Sequence, residues 1–90
     1  MYAYSIKEYD SEKVSFYLSN PGNKQENKSV IAKVLSSSRT FRLFDADKKR
    51  VASGKIYLTT NDEFAPLDGY GRSVGATSIE YLEYGKWVQL

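Results

Sequence analysis

Thr77-Ser78-Ile79-Glu80-Tyr81-Leu82-Glu83, Tyr84-Gly85 and Lys86-Trp87-Val88-Gln89-Leu90 are the consecutive pieces of sequence that decide the fold. Two alternating runs flank a two-residue turn, which is the pattern of an antiparallel hairpin. With Tyr84-Gly85 as the turn, Glu83 faces Lys86, Leu82 faces Trp87, Tyr81 faces Val88 and Ile79 faces Leu90. Alternation then gathers Ile79, Tyr81, Val88 and Leu90 on one apolar face. A slip of one residue would scramble that segregation, so the register supports itself. Leu82 and Trp87 pair on the other face, either as a second packed surface or as an exposed apolar patch.

Upstream, Thr40-Phe41-Arg42-Leu43-Phe44 reads as a strand, Asp45 to Lys49 as a polar reversal, and Arg50 to Thr59 as the returning strand. Gly54 inside that return signals a bulge or a close backbone approach. Asn61 to Gly75 shows no period. So long a stretch in a small domain is either pinned to the core, by Phe64 and Leu67, or functional. At the other end, Tyr2 to Ile6 alternates, Asp10-Ser11-Glu12 breaks, and Val14 to Leu18 alternates again, which predicts a second hairpin. Asn20-Pro21-Gly22-Asn23 stops it. Asn23 with Glu26 has the spacing of a capping box, and Val30, Ile31, Val34 and Leu35 follow at helical spacing, which predicts one amphipathic helix from about Lys24 to Ser36. The expected fold is α+β: a mostly antiparallel sheet of about six short strands with one helix on one face, in the order β-β-α-β-β-β-β. Ninety residues are one domain, 1–90, with no room for two cores.

The chain has neither histidine nor cysteine. Histidine is the side chain that titrates near neutrality and the commonest metal ligand. Cysteine is the soft ligand, the strong nucleophile and the disulfide former. A non-enzymatic protein with no cofactor and no metal is therefore expected. Asp45 and Asp47 could face a cation, but Lys48, Lys49 and Arg50 follow and would repel it, so they read as turn aspartates bonding local backbone. Asp68 to Gly75 is glycine-rich but lacks the lysine and the following helix of a phosphate cradle. Asp62, Glu63, Asp68, Glu80 and Glu83 could supply an acid–base pair, yet nothing in their spacing singles one out. No apolar run is long enough to span a bilayer, and the first residues lack the pattern of a secretion signal. Together with the absent cysteines, this leads us to expect a cytoplasmic protein.

Eight tyrosines make contact the expected mode of action. Tyrosine gives a large rigid area at low entropy cost, and two or three should be exposed. Tyr70 and Arg72 in the glycine-rich loop, with Tyr84 and Trp87 of the last hairpin, are the candidate anchors for a protein partner. The alternative is single-stranded nucleic acid or RNA. Arg39, Arg42, Lys48, Lys49 and Arg50 interleave with aromatics and would form a basic strip if they share a sheet face. The net charge of +2 gives that alternative little help. A third expectation is a homodimer through the Leu82–Trp87 face.

Three pieces of the C-terminal half carry a resemblance: Ser38 to Asp47, Phe64-Ala65-Pro66-Leu67-Asp68, and Thr77 to Tyr81 with Gly85-Lys86-Trp87-Val88. Over residues 38–90 they resemble small uncharacterised proteins carried by phages and mobile elements. The resemblance implies an inhibitor of host defence of the anti-CRISPR kind, and transfers no functional residue. The turn Asp47-Lys48-Lys49-Arg50 departs from the Asp-Gly with acidic neighbours that the resemblance leads one to expect, which weakens any reading as a DNA mimic.

Overall fold

Alternating apolar residues in six runs of the chain form six strands, and all six join one antiparallel sheet in the computed structural model, which describes residues 1–90. The strands are β1 (Tyr2–Glu8), β2 (Val14–Leu18), β3 (Thr40–Asp45), β4 (Arg50–Leu58), β5 (Ala76–Glu83) and β6 (Lys86–Gln89), and the helix α1 is Lys24–Leu35. Across the sheet the order is β2-β1-β4-β3-β5-β6. The N-terminal hairpin thus lies beside β4, and the chain leaving β4 crosses to the far side of β3, where β5 and β6 complete the sheet. The α+β class and the element order are those expected from the sequence.

The last hairpin has the expected register: Glu83 opposite Lys86, Leu82 opposite Trp87 and Tyr81 opposite Val88. Leu90 N–H donates to the Ile79 carbonyl, extending the ladder by one pair. The helix begins on its capping box, with Asn23 Oδ1 accepting from Glu26 N–H at 2.8 Å and Glu26 Oε1 accepting from Asn23 N–H at 3.5 Å. That arrangement satisfies two of the orphan donors of the first turn.

One face of the sheet carries the main core: Tyr4, Ile6, Phe41, Leu43, Ala52, Ile56, Ile79 and Tyr81. The helix is not what covers it. The segment after β4 does, folding back with Ala65, Leu67 and Tyr70 packed on those residues. Its wide helical turn, Leu67–Gly71, was not expected from the sequence. Arg72 N–H reaches the Leu67 carbonyl five residues back, so the turn is of the π type. Leu67 helps pin the segment, as the sequence suggested; Phe64 does not, being 47% exposed. Tyr81 Oη donates to the Glu63 carbonyl at 2.7 Å, tying the segment to β5.

Helix α1 lies on the opposite face, over β2, β1 and β4. Alternation turns Ala3 and Ser5 of β1 toward it, and both are buried. Small side chains there allow a close approach, and Val34 is fully buried at the contact. The seam between β1 and β4 is tighter still. A Cβ on Gly54 would lie 1.8 Å from the Ser5 carbonyl oxygen and 2.9 Å from the Phe41 ring. Gly54 is therefore a site of close approach. The bulge of β4 lies farther along, where the β3 pairing jumps from Leu43–Ala52 to Phe44–Arg50.

Gly54→Ala should cost about 3 kcal/mol or more, because backbone rather than a flexible side chain must move. Urea unfolding measures it; a loss below about 0.5 kcal/mol would show that the seam does not depend on this approach.

Candidate functional site

The helix covers one half of its face and leaves the other half bare, because α1 packs on β2, β1 and β4 and makes no comparable contact with β3, β5 or β6. The pairing registers lay out the side chains on that bare half. Near the tip of the last hairpin stand Thr40, Leu82 and Trp87. Across the middle run Lys7, Ser53, Arg42, Glu80 and Gln89. At the far end stand Phe44 and Arg50, with Tyr9 just beyond β1.

Arg42 organises this surface. Its Nε donates to Glu80 Oε1 at 2.8 Å. Its guanidinium carbon sits 3.9 Å from the centre of the Trp87 ring and 5.2 Å from that of Phe44. The cation thus bridges the two apolar ends of the face, each contact contributing on the order of 1 kcal/mol. Glu80 neutralises it, so the middle of the face is polar but not strongly charged. The aliphatic and aromatic parts remain accessible: Leu82 and Trp87 are each 37% exposed. Arg50 lies 5.6 Å above the Tyr9 ring, and Tyr9, Arg42, Phe44, Lys49 and Arg50 line an open depression.

Tyr84 crowns the same end of the last hairpin, fully exposed. Its φ of 51° and that of Gly85, 79°, make the turn one in which both central residues are left-handed. Asparagine or aspartate normally fills the first of those positions, and a tyrosine there stores strain of about 1 kcal/mol. Tyr84 is thus an exposed aromatic held in a strained conformation.

The four protein-partner anchors suggested by the sequence therefore divide. Tyr84 and Trp87 come together with Leu82. Tyr70 and Arg72 lie in the segment that covers the opposite face. Tyr70 is a fastening there: its hydroxyl donates to Glu8 Oε1 at 2.7 Å and its ring leans on Tyr17, 6.0 Å between centres. From β1, where Tyr70 is fastened, to β6, which carries Trp87, is four strand spacings, about 19 Å. Arg72 is exposed, with Asp68 Oδ1 3.9 Å away.

The basic strip divides as well. Arg39 is on the covered face, stacked 4.6 Å over the Tyr81 ring and paired with Glu63 at 3.1 Å and Glu83 at 3.5 Å. Arg42 is neutralised by Glu80 on the bare face. Lys48, Lys49 and Arg50 stay together at the β3–β4 turn. There Asp45 Oδ1 accepts from the N–H groups of Asp47 and Lys49, the local bonding expected of a turn aspartate. The carboxylates considered for acid–base work all have partners: Glu63 and Glu83 in Arg39, Glu80 in Arg42, Asp68 in Arg72 and Asp62 in Thr60. No three His, Cys, Asp or Glu side chains converge as a metal-binding group, and no helix is long and apolar enough to cross a membrane. Tyr9, Phe44 and Lys7 were missed in the sequence because their sharing a face depends on the β1–β4 pairing, which no local pattern reveals.

Burial raises the pKa of three tyrosines. For Tyr70 desolvation leads and the Glu8 carboxylate adds to it. For Tyr81 desolvation also leads, opposed by the Arg39 charge. For Tyr4 desolvation outweighs a backbone hydrogen bond from Tyr70. In each the folded pKa lies above the unfolded value, so the stabilisation is complete below about pH 10 and is lost as pH rises through the folded pKa. Unfolding midpoints should thus hold flat with respect to these groups up to about pH 10 and fall beyond it. Tyr70→Phe should lessen that fall, and an unchanged alkaline limb would show that Tyr70 titrates as a free phenol. Separately, Tyr84→Asn should raise stability by about 1 kcal/mol in urea unfolding, and a loss instead would remove the strain at the turn. Comparison with family models, with curated proteins and with solved structures gives no match for the chain.

Proposed function

We propose that the chain is a non-enzymatic binding protein that blocks a protein partner by laying the bare half of its sheet against it. The observation that carries this reading is the cluster of Leu82, Trp87 and Tyr84 at one end of a surface that no element of the fold covers. Aromatic anchors with an arginine between them are what interfaces favour at their centres. Lys49 and Arg50 lie at the opposite end and Lys7 at the border, so the partner surface should be apolar where it meets the hairpin tip and acidic at the far end. The resemblance of residues 38–90 to small phage and mobile-element proteins makes inhibition of a host-defence component the first form of this activity to test.

Single-stranded nucleic acid on the same face is the second reading, favoured by the company Arg50 keeps with Tyr9 and Lys49 with Phe44. Two features place it second. The Arg42 guanidinium occupies the Trp87 face on which a base would stack. Arg39, one of the five cations it would use, points away and is already paired.

Trp87 is the single tryptophan, so its fluorescence reports on this surface alone. Trp87→Ala combined with Leu82→Ala should reduce capture of the partner at least about tenfold while Tyr70→Phe leaves it intact. Equal capture by all three proteins, each shown to be folded, would remove the bare face as the interface. Quenching of Trp87 by a single-stranded oligonucleotide, strong at low salt and lost as salt rises, would put the second reading first.

A further inference from the structure

We propose that two copies of the chain pair edge to edge through β6, extending the sheet across a two-fold axis and joining their bare faces into one trough. The edge is chemically open. Leu90 N–H bonds the Ile79 carbonyl, so along this hairpin the pairs 79/90, 81/88 and 83/86 exchange backbone bonds and the pairs 80/89 and 82/87 do not. The N–H and C=O groups of Trp87 and Gln89 therefore point outward, away from β5. Sheet proteins blunt such an edge with proline, bulges or several charges. β6 has one charge, Lys86, and neither of the other devices. All four of its residues are exposed, and Val88 and Leu90 are 42% and 39% exposed on the face opposite Trp87.

The edge is also self-complementary. If β6 pairs antiparallel with a second β6 so that Val88 meets its own copy, Trp87 faces the second Gln89 and Lys86 faces the second Leu90. All the outward groups of Trp87 and Gln89 then pair in both strands. Sliding the partner by two residues to set Trp87 against Trp87 brings Gly85, inside the turn, into the ladder and leaves fewer bonds. In the favoured register the two Lys86 residues are four residues apart along the pair, about 13 Å, so like charges do not oppose. The axis of such a pair is perpendicular to the sheet, so both bare halves look the same way. Their floor runs from β3 through β6 to the second β3, five strand spacings or about 24 Å, and each α1 forms a wall beyond it. Dimerisation rests on the edge alone; use of the trough as a docking floor rests on the function proposed above.

The natural absence of cysteine makes the register directly testable. Under mild oxidation Val88→Cys should cross-link nearly completely, because an opposed pair without backbone bonds brings the two side chains within disulfide reach. Lys86→Cys should not. Light scattering of the unmodified chain on the order of 100 µM should give twice the 10.2 kDa chain mass. Gln89→Pro should restore the single mass and melt as the unmodified chain does when diluted to a monomer, since that N–H makes no bond within the chain. Three results would each overturn the dimer: a single mass for the unmodified chain with no Val88→Cys product, a dimer that survives Gln89→Pro, or linkage of Lys86→Cys as fast as Val88→Cys. Partner capture by monomeric Gln89→Pro as strong as by the dimer would leave the binding function standing and remove the trough from it.

Discussion

The seam between β1 and β4 is the contact on which the rest of the molecule depends. It joins the N-terminal hairpin to the four C-terminal strands, which begin thirty-odd residues later in the chain, and it is closed where Gly54 lets the Ser5 backbone approach. Lys55 N–H is satisfied there by the Ser5 hydroxyl at 3.0 Å. Both coverings of the sheet are placed by this seam. The helix follows β2 and has only the β2-β1-β4 side within reach. The segment after β4 must cross the other face to begin β5 on the far side of β3. One face is therefore closed along most of its length and the other only by half. The bare half is a consequence of connectivity, and its aromatic residues are what make it more than a gap.

Much of the fold could be read locally. The last hairpin announced its register because apolar alternation and a Tyr-Gly turn agreed. The helix announced its start because Asn23 and Glu26 form a capping box. The covering segment could not be read so. Its contacts are Ala65, Leu67 and Tyr70, spaced irregularly and set on a π turn, and no helical or strand period describes that arrangement. The candidate site was legible to the extent that it is one hairpin: Tyr84 and Trp87 were marked and lie together. Tyr70 stands apart from them for a physical reason. No local pattern in a glycine-rich loop shows that its hydroxyl reaches Glu8, a residue distant in sequence.

The two arginines that flank the start of β3 show how charge in a small basic domain can be spent internally. Arg39 and Arg42 are three residues apart, so alternation sends them to opposite faces. Each stacks on an aromatic ring and pairs with a β5 carboxylate, Glu83 for one and Glu80 for the other. They clamp β5 from both sides. A count of positive residues would credit both to a partner, whereas the geometry assigns them first to the protein itself. The cations left over, Lys48, Lys49 and Arg50, cluster at one turn and set a direction to the surface: apolar and aromatic at the tip of the last hairpin, basic at the far end.

The β1–β4 seam also bears on how the chain is made. On the ribosome β1 and β2 emerge well before Arg50–Leu58, so the nascent hairpin must wait with one edge of β1 unsatisfied. The bond from the Met1 amino group to Thr59 Oγ1 spans 58 positions, and closures of that span are what slow the folding of antiparallel proteins. Helix α1, emerging next, can dock on Ala3 and cover one face of the young hairpin before its partner strand exists. A face is covered in this way while the edge of β1 still waits for β4.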